Sequence, residues 1–156
     1  MLTVWRLTTA RRARSAFNGE GARLYGGRWN PKGVPIVYTA QTQALAVLEM
    51  MVQDEVLAAR YVMIPAQIPD GVTIEHIDAR SLPAGWRSLR HLETTRRIGA
   101  EWARSQRGAV LAVPSAVIPA ETNFILNPLH PEFRRIRIGK PAAFRLDPRL
   151  LAERGE

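Results

Sequence analysis

Short apolar runs bounded by turn residues divide the chain into strands, and two stretches of helical spacing interrupt them. LTVWRL (2–7), VPIVYTA (34–40), RYVMIPAQI (60–68) and VTIEHID (72–78) read as strands, the last two joined by the turn Pro69-Asp70-Gly71. Residues 42–55 form a helix, and a second helix runs from Ser88 to about Ser105, ahead of the stop signal Gly108. The unbroken run AVLAVPS (109–115) is a buried strand that ends at Pro114. After segment 116–126 and the loop NPLHPEF comes a final pair of strands at 134–139 and 142–146, then a short C-terminal tail, 146–156. Residues 8–33 carry five glycines and many arginines, the composition of a long irregular loop, and long loops in small domains are commonly functional. Many strands with few helices predict an α+β domain, a compact mixed β-sheet core rather than an alternating βαβ fold. With 156 residues and no repeat, low-complexity tract or linker, the chain reads as one domain, 1–156.

Within this pattern a few polar residues stand where a folding pattern alone does not need them. On a helical wheel Leu45, Leu48 and Val52 span roughly 60°, and Glu49 falls about 40° from Leu45. A carboxylate on that flank either opens into a cleft with a partner or snorkels from the stripe edge to water or an arginine. Arg28 sits in YGGRWNP, where two glycines allow a tight turn and Trp29 anchors the loop. Its planar fork suits phosphate or carboxylate, although a surface arginine on a turn has the same sequence. Tyr38 ends a strand directly before the helix that carries Glu49, so it fills the core or stacks on a flat ligand. Ser115 follows the buried run 109–114 at a strand end, a common place for site residues and for ordinary serines alike.

Composition narrows the classes. The formal charge is +8, and all of the 22 basic residues except Lys32 and Lys140 are arginine, which favours a polyanionic or acidic partner. An arginine-rich surface also fits a nucleic-acid-binding module or a ribonuclease. The absence of cysteine excludes disulfides and thiol chemistry. With neither a signal-peptide pattern nor a membrane-length apolar run, the expected location is cytoplasmic. His76, His91 and His130 lack metal spacing and read as structural or surface residues. GEGARL is a poor dinucleotide fingerprint, and neither a Walker A sequence nor a G-x-S-x-G elbow is present. The run Arg134-Arg135-Ile136-Arg137 reads as a charged, solvated edge strand.

The opening VWRL, the run YGGRWNPKGVPIVYTA, the helix ALAVLEMMV, the segment AVLAVPSAV and the later ETNFILNPLHPEF occur in the order of landmarks of one family. Over nearly its whole length the chain resembles the RES-domain family, the toxin half of bacterial RES–Xre toxin–antitoxin pairs, named for an arginine, a glutamate and a serine. The resemblance implies an ADP-ribosyltransferase-like fold. It also implies that NAD+ is consumed as a substrate, with no separate cofactor and no metal. The implied reaction breaks the nicotinamide–ribose bond by hydrolysis or phosphorolysis, as an NAD+ glycohydrolase or phosphorylase; in some relatives ADP-ribose passes to a protein instead. Carried over by position, Arg28 clamps phosphate, Tyr38 stacks on nicotinamide, Glu49 holds the ribose hydroxyls and Ser115 hydrogen-bonds the ligand. Asn127 in FILNP and Arg6 in the opening WR complete the expected NAD+-binding set. The implied partner is a cognate Xre-type antitoxin, with a toxin homodimer inside the complex, DNA contact only through the antitoxin, and no membrane association.

Overall fold

A computed structural model of the chain describes residues 1–53 and 59–151. Eight strands form one sheet: β1 (Leu2–Thr9), β2 (Val37–Ala40), β3 (Tyr61–Ile68), β4 (Ile74–His76), β5 (Val110–Pro114), β6 (Thr122–Leu126), β7 (Arg137–Ile138) and β8 (Ala142–Phe144). Their order is β4-β5-β6-β2-β1-β3-β7, with β8 also paired to β3. Only β4 and β5 run parallel. Among the described residues four α-helices accompany the sheet, α1 (Glu20–Tyr25), α2 (Gln43–Gln53), α3 (Leu92–Ser105) and α4 (Pro148–Leu151), together with four short 3-10 turns. This is the expected α+β architecture.

Period-two alternation sends neighbouring residues of β5 to opposite faces, and each face has its own core. On one face Val110 and Ala112 join Val4, Val37, Ile64, Ala66 and Phe124. On the other, Leu111 and Val113 pack with Ile125 under Trp102 of α3 and beside Trp29 and Trp86. Further along that second face, Leu45, Ala46 and Val47 of α2 cover Ala40 and Met63. Fully burying a side chain such as Leu111 or Ile125 contributes roughly 1.5–3 kcal/mol, and both are completely buried. Gly99 makes the α3 contact possible: a Cβ there would stand 1.6 Å from the Trp29 carbonyl oxygen. The loop carrying Arg28 therefore lies directly on the helix backbone.

The sheet is split near its middle. β1 pairs with β3 through eight consecutive residues, Leu2↔Ile68 to Thr9↔Tyr61, but with β2 only at Trp5↔Ala40. Beyond Trp5 the two strands part, and Arg6 fills the place of the missing ladder by donating from Nη1 to the Tyr38 carbonyl at 2.8 Å. A central sheet split between adjacent strands leaves a cleft in the middle of the protein.

Several expectations change in detail. Residues 8–33 are not wholly irregular, since a 3-10 turn at Ala10–Ser15 and α1 lie within them. The stripe expected on the first helix is rotated: Leu48 and Val52 are exposed, while Leu45, Ala46 and Val47 are buried. A wheel locates a stripe only when one surface covers the helix, and α2 meets both the sheet and the cleft. The strands at 60–68 and 72–78 do keep their turn, with Gly71 at φ 83°, but they do not pair. Likewise β7 and β8 both pair with β3 rather than with each other, and Arg134 and Arg135 belong to the 3-10 turn Pro131–Arg135. Residues 54–55 of the predicted first helix and 152–156 of the predicted tail lie outside the described residues.

Candidate active site

The split opens a cleft of about 960 Å³ whose walls differ in charge. Arg6, Arg11 and Arg12 line it from β1 and the 3-10 turn beyond it, with Arg60 ahead of β3. Ala46, Glu49, Met50 and Gln53 line it from α2, the i, i+3, i+4, i+7 spacing of one helical face. Tyr38, Thr39, Ala40 and Asn123 line it at β2 and β6. Among the described lining residues Glu49 is the one carboxylate.

Glu49 is held on one oxygen. Its Oε1 accepts from Ser115 Oγ at 2.6 Å and from Asn123 Nδ2 at 2.5 Å. Ser115 is completely buried behind it, and its hydroxyl also accepts from the backbone N–H groups of Val117 and Ile118 at 3.0 Å each. A hydroxyl has one donor and two acceptor positions, so Ser115 is saturated within the protein. It fixes the carboxylate, and no position is left for the ligand contact that the resemblance implied.

Arg6 presents the opposite situation. Burial and the nearby Arg12 guanidinium bring it down to about 10 from the usual arginine value, so it stays charged at neutral pH. No carboxylate among the described residues pairs with it, and its buried Nε–H has no hydrogen-bond partner. A buried cation without a counter-ion is costly unless an anion arrives to meet it.

Tyr38 and the arginine loop form a third element. The Tyr38 hydroxyl donates to Asn30 Oδ1 at 2.6 Å and accepts from the Trp29 N–H at 3.0 Å. Burial raises its pKa, and it remains a neutral phenol. Asn30 is fully buried, and its Nδ2 donates to the carbonyls of Ala22, Pro31 and Val34. Gly27 is required here, because a Cβ would fall 2.6 Å from the Tyr38 hydroxyl. Arg28 rises from this braced loop beside the cleft rather than within its lining. It donates to the Trp86 and Arg87 carbonyls at 3.2 and 3.0 Å, and its guanidinium carbon lies 5.9 Å from the Trp86 ring centroid. Desolvation lowers the Arg28 pKa while the nearby Glu49 charge opposes that shift, so the two groups act on each other.

The fold thus brings Glu49, Ser115, Tyr38 and Arg6 together and sets Arg28 next to them. It leaves Asn127 out: that side chain is buried, donates to the Ala103 carbonyl and accepts from the Leu129 N–H. Those bonds tie α3 to the end of β6. Asn123, Asn30 and the arginines at 11, 12 and 60 were not singled out by sequence. The one signal for Asn123 was a polar residue inside the strand ETNFIL. Among the described residues, no group of three or more His, Cys, Asp or Glu side chains is placed to hold a metal ion. No described helix is long and apolar enough to cross a membrane.

The family model for the RES domain matches residues 3–147. A protein from Sphingobium sp. named "Prs ADP-ribosylating toxin" is 38% identical over 153 residues, covering 94% of this chain and 95% of the relative. "Toxin Res" from Photorhabdus laumondii subsp. laumondii is also 38% identical over 153 residues, covering 96% and 97%. Among solved structures, the M. tuberculosis MbcT–MbcA toxin–antitoxin complex contains a chain that superposes with a TM-score of 0.76. It shares 20% identity, covering 96% of this chain and 86% of that one, and shows the same fold.

Proposed function

The chain belongs to the RES-domain family, and we propose that it is the toxin of a bacterial toxin–antitoxin pair that consumes NAD+ by breaking the nicotinamide–ribose bond. One observation carries the chemistry: a carboxylate fixed on one oxygen faces a wall of arginines, one of them buried with no counter-ion among the described residues. NAD+ offers the complement, a pyrophosphate for the arginines and ribose hydroxyls for the carboxylate.

In this reading Arg6, with Arg12 and Arg60 at the rim, receives the pyrophosphate through charge-assisted hydrogen bonds. Arg28 adds positive potential beside Glu49 and keeps the segment at Trp86–Arg87 in place. Glu49 Oε2, which makes no hydrogen bond among the described residues, accepts from a hydroxyl of the nicotinamide ribose. As the C1′–N bond breaks, its electron pair leaves with nicotinamide, and the sugar develops oxocarbenium character that the Glu49 charge stabilises. The oxygen of water or inorganic phosphate then bonds to C1′ and releases its proton to solvent. Inhibition falls to an antitoxin, in line with the toxin–antitoxin complex that contains the structural relative. Its assignment to the Xre type rests on the family resemblance.

A second reading keeps the same pocket and makes a protein the acceptor, which the name of the Sphingobium relative favours. The test is to incubate the purified protein with NAD+, with and without phosphate, and to follow nicotinamide and the ADP-ribose product. Nicotinamide release that disappears in Glu49→Gln supports NAD+ consumption. Free ADP-ribose or its phosphate names the small acceptor, whereas label on a protein band selects the second reading. A well-folded protein that releases no nicotinamide under these conditions overturns the first reading, and the second falls with it if a bacterial lysate added as a source of protein acceptors also yields no nicotinamide and no labelled band.

A further inference from the structure

Asn123 lies inside the landmark segment ETNFILNPLHPEF without having been assigned a role in the site, and its two amide ends have different fates. Nδ2 donates to Glu49 Oε1 at 2.5 Å. Because a carboxylate oxygen accepts and does not donate, the amide cannot be flipped: NH2 faces Glu49, and Oδ1 must face away. That Oδ1 is buried and has no hydrogen-bond partner among the described residues, although Asn123 lines the cleft. Leaving a carbonyl acceptor buried and unpaired is unfavourable, and it persists where a ligand completes it.

We propose that Asn123 is the positioning residue of Glu49 and, through Oδ1, an acceptor for a hydroxyl or amide N–H of the bound nucleotide. Two donors converge on Oε1, Ser115 from behind and Asn123 from the sheet. With Oε1 occupied, rotation of the carboxylate would break two hydrogen bonds, so Oε2 is aimed into the cleft. This rests on the NAD+ reading for its substrate but not for its geometry.

Asn123→Asp gives the decisive test. While the introduced carboxyl is protonated, its O–H replaces the amide donor and its carbonyl replaces Oδ1, so the arrangement is kept. Once it ionises, two carboxylates face each other across a hydrogen-bond distance and repel. Activity of the variant relative to the wild type is therefore expected to be high at the acid end and to fall as pH rises. The other charged or titratable groups around this pair, among the described residues, are Arg28 from the loop, Arg6, Arg11, Arg12 and Arg60 across the cleft, and Tyr38 and Tyr61 in its lining. These groups are common to the variant and the wild type, so the pH dependence added by the substitution reports the pair at positions 49 and 123.

Asn123→Ala removes both amide ends, with an expected loss in kcat of about 100-fold from misorientation and a rise in KM at every pH. An Asn123→Asp profile parallel to the wild type, or unchanged kcat and KM in a folded Asn123→Ala, overturns the proposal. If the wild-type protein itself releases no nicotinamide, it is the NAD+ reading that fails. The clamp is then decided by the crystal structure of Asn123→Ala: a Glu49 carboxylate that turns away from Ser115 supports it, and one that stays on Ser115 Oγ overturns it.

Discussion

The two walls of the cleft carry opposite charge and opposite states of satisfaction. On the α2 side Glu49 Oε1 is met by Ser115 and Asn123, and Ser115 is itself saturated by two backbone donors. On the β1 side Arg6 uses one donor on the Tyr38 carbonyl, while its buried Nε–H meets nothing among the described residues. The fold has fixed the carboxylate on one wall and left the other without a counter-charge among the described residues. The carboxylate wall is held in one geometry before any ligand binds, with Glu49 Oε2 and Asn123 Oδ1 left to meet it. The arginine wall carries a buried charge with no counter-ion among the described residues, which costs stability and is relieved by an anion.

This contrast fails most visibly if Glu49 is dispensable. Glu49→Gln keeps the shape and removes the charge, with an expected fall in nicotinamide release of at least about 100-fold and no loss of helix by circular dichroism. Arg6→Met probes the other wall. It is expected to raise KM for NAD+ by about 10- to 100-fold, the contribution of one charge-assisted hydrogen bond. The melting temperature of the ligand-free protein should not fall, since a buried charge has been removed. A clear drop in its Tm would show that Arg6 is already compensated.

Stability should respond in the opposite sense at the carboxylate wall. Ser115→Ala strands the Val117 and Ile118 N–H groups and removes one donor to Glu49, with an expected cost of about 2 kcal/mol in urea unfolding. Unchanged unfolding would mean that water or a shifted backbone replaces the hydroxyl. The smallest effect concerns inorganic pyrophosphate. At about ten times its dissociation constant it should stabilise the wild type by roughly 1.4 kcal/mol, seen as a Tm rise of a few degrees that Arg6→Met lacks.

Fold class and most elements are legible in the sequence because their signals are local. The apolar run at 109–114 has nowhere to go except a buried strand, and all of β5 is buried. The glycine pair before Arg28 and the family landmarks likewise made the arginine loop, Tyr38, Glu49 and Ser115 visible as a set. How those residues divide their tasks is settled by tertiary contacts. Ser115 and Asn127 are both polar residues just beyond buried strands, yet one supports the carboxylate and the other ties α3 to β6. Nothing local distinguishes them, since the partner that settles each role lies 66 and 24 residues away along the chain. The same holds for the cleft. It exists because β1 and β2 meet at one residue pair before parting, and a gap between two strands belongs to neither strand's sequence. Hydrophobic periodicity records which side of an element is buried, but it carries no information about which distant polar group waits there.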